Sequence, residues 1–286
     1  MHYKRYKSIV SPRNGMNVYR GCSHGCIYCD SRSVCYQINH DFEDIEVKKD
    51  AALILEEQLE RRRKPAMIMT GAMCDPYIPL EEELCVTQQC LKVIERHRFG
   101  VALLTKSARI RRDIGLLERI NAQSRAVVQM TLTTYDEDVC RMLEPCVSTT
   151  AERFEVLMAM RDAGIPTAVW LSPVLPFIND TEENLRGILD YCFAAQVKAI
   201  VFYGFGMTLR EGNREYYYQQ LDRLFPGMKE QYVQHFKNAY QCISPHDQKL
   251  KKILFEECAA HGVLVGFDEV FAYLRQYKLH EQLPLF

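Results

Sequence analysis

The sequence predicts an α/β fold, a partial parallel (β/α)6 barrel over residues 1–211 with a mainly helical C-terminal extension over residues 212–286. Three observations predict it. Short β-branched or apolar runs alternate with amphipathic stretches up to about Gly212. Successive runs are separated by enough chain for right-handed crossovers between parallel strands. From Gly212 onward the pattern turns helical, with no Gly-, Pro- or Ser-rich linker before it.

Taken in order, residues 16–19 form the first strand candidate. Asp50 stands before AALILEEQLERRR as a helix N-cap. Residues 66–70, 101–105 and 126–133 read as the second, third and fourth strands. Thr149 and Glu152 have the capping-box spacing before a helix that stops at Gly164. Residues 167–171 and 199–202 complete six strands. Helical stretches follow near residues 216–224, 229–238 and 247–260, broken by the apolar run 263–267. Without tandem repeats or a linker, this extension is expected to pack on the barrel.

Of 286 residues, 48% are hydrophobic and 26% charged, the balance of a globular protein rather than a disordered one. Lys plus Arg number 36 against 37 Asp plus Glu, so nucleic acid or membrane is not held by bulk charge. No stretch approaches the roughly 20 apolar residues of a membrane span, and MHYKRYKSIV lacks a signal-peptide core. A cytoplasmic location, with no membrane partner, is expected. Twelve cysteines in such a chain read as thiols, with Cys85, Cys90, Cys192 and Cys258 placed in helix cores.

The strongest signal is YRGCSHGCIYCDSR, which spaces Cys22, Cys26 and Cys29 by three and two residues after the first strand. Three thiolates on one loop suit three irons of a [4Fe-4S] cubane, and the fourth iron is left open to bind another molecule. Gly21 and Gly25 let the loop wrap closely around the cluster. A zinc site made of the same thiolates and His24 stays open as an alternative, although zinc modules usually carry a second ligand pair further on. Attachment of c-type haem fails because Asp30, not His, follows Cys29.

These residues resemble the radical S-adenosylmethionine (radical SAM) superfamily, whose loop has the C-x₃-C-x-aromatic-C form with Tyr28 as the aromatic. VYRGCSHGCIYC, GAMCDPYIPLE, LLTKSARIRRDIGLL and LSPVLPFIND resemble its spore photoproduct lyase-like, or DNA repair photolyase-related, group. The resemblance implies a barrel of the radical SAM type with a [4Fe-4S] cluster and S-adenosyl-L-methionine as cofactors. It also implies an electron donor such as flavodoxin or ferredoxin, and a 5′-deoxyadenosyl radical that takes a hydrogen atom from substrate. Tyr28, Gly71, Lys106, Ser107, Thr131, Thr133 and Asn179 are then the expected residues around S-adenosylmethionine. Gly71 corresponds to the backbone that meets the methionine amino group, Lys106 and Ser107 to the carboxylate and ribose contacts, and Asn179 lies near the adenosine with Asp180. Asp180 is also a candidate helix cap for TEENL. Asp75 and Tyr77 are expected on an exposed, substrate-facing loop, and Cys74 beside them is the candidate hydrogen donor, although its offset from the acidic residue departs from the group's pattern.

The substrate expected from the resemblance is nucleic acid, by lesion reversal or base modification. Alternatives are a peptide or small metabolite, or a non-catalytic metal-binding module. The basic clusters Lys4–Arg13, Arg61–Lys64 and Arg109–Arg112, and the run Tyr216 to Tyr218, offer phosphate or base contacts but equally suit solvated faces and helix packing. Gln282, Leu283, Pro284, Leu285 and Phe286 resemble the pentapeptide by which bacterial repair proteins bind the sliding clamp, and packing of this tail on the barrel is the other reading.

Overall fold

A computed structural model describes residues 1–277; the expected clamp-binding segment, residues 282–286, lies outside the described residues. Six parallel strands, Gly15–Met16, Met67–Thr70, Gly100–Thr105, Ala126–Thr131, Thr167–Trp170 and Ala199–Val201, form one sheet in chain order. The first and last strands are not paired with each other, which is the open arrangement of a partial barrel.

Alternation along each strand sets the two faces. Val101, Leu103, Val128, Met130, Val169 and Ile200 point outward into a core shared with the helices, where Leu55, Leu91, Ile94, Leu117, Leu157 and Leu185 meet them. The opposite face carries Met67, Ala102, Val127, Ala168, Ala199 and Val201, several of them small, packed with Val270 and Leu274 of the last helix, Phe267–Arg275. That helix and its C-terminal end reach the N-terminal side of the strands: Arg125 Nη1 donates to the Gln276 carbonyl at 2.8 Å, and Tyr277 Oη to the Arg98 carbonyl at 2.6 Å. One mouth is thereby plugged, and the free interior lies toward the C-terminal ends of the strands.

Several local expectations are corrected. The first strand is split: Gly15–Met16 joins the barrel, while Tyr19–Arg20 pairs with Glu46–Lys49, which in turn pairs with His2–Arg5. A third sheet pairs Gly206–Thr208 with Gln241–Ile243 across the expected boundary at 211/212. Asp50 adopts φ 58° and makes no side-chain cap before Ala51–Glu60. Thr149 and Glu152 do form the capping box of Thr150–Asp162. Thr181, not Asp180, caps Glu182–Ala194, because Asp180 is buried and accepts from the Ser244 hydroxyl. Cys90, Cys192 and Cys258 are buried as expected, but Cys85 is a half-buried turn residue at φ 52° between two helices.

The helices Asn213–Leu224 and Met228–Phe236 pack on the cysteine loop itself: Tyr217, Leu221, Tyr232 and Phe236 share a core with Cys26, Ile27 and Tyr28. Packing therefore accounts for the tyrosine run, with the Tyr217 hydroxyl donating to that of Tyr232 at 3.0 Å and Arg32 lying 3.8 Å from the Tyr216 ring centre. The Arg109–Arg112 cluster is likewise engaged by Glu82, Glu155, Glu81 and Asp113. No helix among the described residues is long and apolar enough to cross a membrane.

Candidate active site

The cysteine loop is held on both sides by backbone. Cys22 N–H donates to the Phe42 carbonyl at 2.9 Å, Ile27 N–H to the Leu143 carbonyl at 3.0 Å, and Cys146 N–H to the His24 carbonyl at 3.1 Å. Gly21 sits at φ +79°, and a Cβ there would lie 2.4 Å from the Phe42 carbonyl oxygen, so a side chain is excluded. Segment 143–146, which the sequence did not single out, thus braces the loop.

Cys22, Cys26 and Cys29 are free thiols that line one cavity of about 830 Å³ at the C-terminal ends of the strands. The neighbouring Cys74 and His24 side chains hold the Cys22 thiol well below its ordinary range. Burial pushes the Cys26 and Cys29 thiols up. His24, between the ligand positions, is only 1% exposed; its Nε2 is buried with no hydrogen-bond partner among the described residues. Three convergent thiols, an orphaned imidazole nitrogen and an adjoining cavity fit a site-differentiated [4Fe-4S] cluster with room for a second molecule.

Beneath the loop lies a buried charge network. Glu144 accepts from Tyr28 Oη, from Lys106 Nζ at 2.8 Å and from the fully buried Arg153. Lys106 Nζ also donates to Tyr28 Oη at 2.6 Å, and Arg153 holds the carbonyls of Thr131 and Ser148 at 2.8 and 2.7 Å. Burial opposes charge on Glu144, yet Arg153 and Lys106 keep its carboxyl below the usual range. Burial also opposes charge on Lys106, but Cys26 and Glu144 hold its ammonium well above the usual range. A cation is thereby fixed at the cavity floor.

The remaining candidates separate by what they reach. Gly71, Cys74, Asp75, Lys106 and Thr131 line the cavity with the three cysteines and Tyr28. Gly71, at φ +100°, has a further reason to be glycine: a Cβ would fall 1.9 Å from the Leu104 carbonyl oxygen of the neighbouring strand. Cys74 Sγ donates to the Gly21 carbonyl oxygen at 2.7 Å, so it is tied to the metal loop.

Asp75 and Tyr77 do not stand on an exposed loop. The Asp75 carboxylate accepts from Thr105 Oγ1, Lys106 N–H and Tyr77 N–H at 2.7, 2.7 and 2.8 Å, joining the ends of the second and third barrel strands. Tyr77 is fully buried and donates to Asp113 at 2.9 Å, which leaves it no surface to offer a substrate. Ser107, Thr133 and Asn179 are also buried and outside the cavity lining. Ser107 caps the following turn by accepting from Arg109 N–H. Asn179 donates to the Thr133 carbonyl at 2.8 Å and accepts from Leu175 N–H, fixing the loop after the fifth strand.

The same cavity is lined by residues that the sequence did not mark: Trp170, Tyr203, Arg210, Tyr240 and Lys251, together with Tyr36. Arg210 lies 5.2 Å from the Tyr240 ring centre and 5.7 Å from that of Tyr36. Tyr240 and Tyr203 remain 46% and 56% exposed.

Relatives of similar sequence include an uncharacterised protein of Mycobacterium tuberculosis, 29% identical over 228 residues, or 77% of this chain and 66% of that one. An uncharacterised protein of Methanocaldococcus jannaschii is 26% identical over 171 residues, 58% of this chain and 62% of that one. The chain thus matches just under two thirds of the length of each. Among solved structures, spore photoproduct lyase complexed with dinucleoside spore photoproduct aligns with a TM-score of 0.63 at 12% identity, covering 91% of this chain and 78% of that one. Streptococcus suis SuiB bound to S-adenosylmethionine aligns at 0.50 and 10% identity, over 93% of this chain and 49% of that one. At these identities the likeness is one of fold. The family model of the radical SAM superfamily matches residues 16–192, the stretch that carries the three cysteines and the barrel strands, and the chain belongs to that superfamily of [4Fe-4S]- and S-adenosylmethionine-dependent enzymes.

Proposed function

We propose that this radical SAM enzyme acts on nucleic acid, by lesion reversal or base modification. When bound, the cluster would supply the electron for reductive cleavage of S-adenosylmethionine, whose adenosyl part would abstract a hydrogen atom from substrate. The chain's own residues prepare that event. Cys22, Cys26 and Cys29 hold the metal, and Lys106, fixed by Glu144, offers its ammonium toward a carboxylate at the cavity floor. Gly71 and Thr131 line the same space. The plugged N-terminal mouth keeps bulk water from one side of the barrel. An external carrier of flavodoxin or ferredoxin type supplies the electron.

One observation carries the choice of substrate. The cavity lining includes the exposed Tyr203 and Tyr240 and the half-buried Tyr36, with Arg210 against the Tyr36 and Tyr240 rings and beside Asp30, and Lys251 on Asp247. Bases stack on aromatic faces, at roughly 1–3 kcal/mol each, and phosphates seek Arg and Lys. This local surface supplies what a net charge of −1 does not. In this reading Cys74 first anchors the loop through the Gly21 carbonyl, and returning a hydrogen atom to product requires it to leave that contact.

The test is 5′-deoxyadenosine formation by anaerobically reconstituted protein with dithionite. Ultraviolet-irradiated or intact oligonucleotides should raise the rate several-fold above that without substrate, and Tyr240→Ala with Arg210→Ala should remove the stimulation. Stimulation by peptides alone would overturn the nucleic-acid reading and leave the radical chemistry standing.

A further inference from the structure

Away from the cavity, the small sheet beside the cysteine loop gathers two histidines and a buried carboxylate. Strands His2–Arg5 and Glu46–Lys49 run parallel with His2 opposite Glu46. One ligand atom from each of His2, His40 and Glu46 lies within 4.8 Å of the other two, and the two imidazole rings meet edge to face. The ring protons are placed by hydrogen bonds. His2 Nδ1 stands 2.9 Å from Asp44 Oδ2 and His40 Nδ1 2.9 Å from the Asp41 carbonyl oxygen, so each neutral ring donates from Nδ1 and keeps a lone pair on Nε2. His2 Nε2 is 3.7 Å from Glu46 Oε2, and His40 Nε2 is buried with no hydrogen-bond partner among the described residues. A buried ring nitrogen without a partner calls for a group that the folded chain does not supply. An Nδ1 fixed by a carboxylate or a backbone carbonyl, with Nε2 left free, is the arrangement that orients histidines on a metal. Glu46 is 2% exposed and held by the Tyr6 hydroxyl; Lys4 Nζ, 3.2 Å from its Oε2, belongs to an exposed side chain that can turn to water and release that oxygen.

We propose that His2, His40 and Glu46 form a zinc(II) site, separate from the three cysteines, with water in the fourth position. Zinc binds imidazole nitrogen and carboxylate oxygen at about 2.0–2.2 Å, which sets the ligand atoms of a tetrahedral site roughly 3–4 Å apart. His2 Nε2 and Glu46 Oε2 already stand at such a separation. The ion ties the first strand to the segments that brace the cysteine loop. Glu46 lies on the strand that pairs with Tyr19–Arg20, and His40 is two residues before Phe42, whose carbonyl accepts from Cys22 N–H at 2.9 Å. The assignment is independent of the substrate.

The test dialyses reconstituted holoprotein against buffered Zn²⁺, counts the zinc bound, reads its neighbours by X-ray absorption at the zinc edge and follows thermal unfolding. The wild type should take up one zinc per chain with nitrogen and oxygen neighbours at about 2.0–2.2 Å and no sulfur, and zinc should raise its unfolding temperature. His2→Gln and His40→Gln, both at half-buried positions, should each weaken zinc binding by about tenfold or more and lose most of the thermal shift, with iron content unchanged. Asp44→Asn, which alters only the group that orients His2, should weaken binding by roughly tenfold. Sulfur neighbours at about 2.3 Å would overturn the proposal by placing the ion on the cysteines. An absence of zinc uptake by the wild type, or undiminished uptake in both histidine variants, would overturn it as well.

Discussion

Replacing Cys22, Cys26 or Cys29 by Ala should bring cluster-bound iron and 5′-deoxyadenosine formation to background. The loss should exceed the roughly 10–100-fold that removal of an outer-shell partner costs a metal site. The three thiols sit in unequal surroundings, Cys22 eased toward thiolate by Cys74 and His24 while Cys26 and Cys29 are raised by burial. The apo chain therefore does not hold three free thiolates, and metal binding must release protons from Cys26 and Cys29. Loading of the wild type should therefore release protons, measured in weak buffer, and the three variants should release none. A fully loaded cluster in any of the three variants would contradict the ligand set.

The second large effect concerns Glu144. Removing one partner of a buried ion network strands the others, at a cost of about 3–5 kcal/mol, so Glu144→Gln should lower the stability of the apo protein at neutral pH by that order. The pH dependence follows from the sign of the shift. Arg153 and Lys106 hold the folded-state carboxyl below its unfolded value, so its contribution is complete above the ordinary carboxylate range and is lost as pH falls through the folded value. Thermal unfolding should therefore show the wild type losing its advantage over Glu144→Gln on acidification. Parallel curves at all pH values would mean that the carboxylate is not charged in the folded protein. Because Lys106 is released in the variant, affinity for S-adenosylmethionine should also weaken.

What was legible in the sequence follows from where its information lies. The strand runs at Val101 and Ala126 are readable because both faces are buried, the outer by helices and the inner by the C-terminal helix, so they appear as unbroken apolar stretches. His2–Arg5 and Glu46–Lys49 pair through backbone while carrying HYKR and EVKK, and no apolar pattern announces them. The cysteines are legible because their ligands share one loop. The network around Glu144 is not, because Tyr28, Lys106, Glu144 and Arg153 come from separate segments and meet only when the barrel closes. Asp75-Pro76-Tyr77 reads as an exposed, substrate-facing loop from its place after a strand and its family resemblance, yet Thr105 and Lys106 on the next strand pull Asp75 inward. The tyrosines and cations of the cavity lining lack a local signature for the same reason, with Tyr36, Tyr203, Arg210 and Tyr240 gathered from four loops and strand ends.

Three cysteines at the mouth of the barrel leave one iron of the cluster open for S-adenosylmethionine. The most direct measurement is electron paramagnetic resonance (EPR) of the dithionite-reduced, anaerobically reconstituted protein with and without S-adenosylmethionine, with product analysis of the same sample. A single reduced [4Fe-4S] signal that changes on adding S-adenosylmethionine, together with 5′-deoxyadenosine and methionine in the products, is the expected result. A cluster signal indifferent to S-adenosylmethionine, with no 5′-deoxyadenosine formed, would contradict the account.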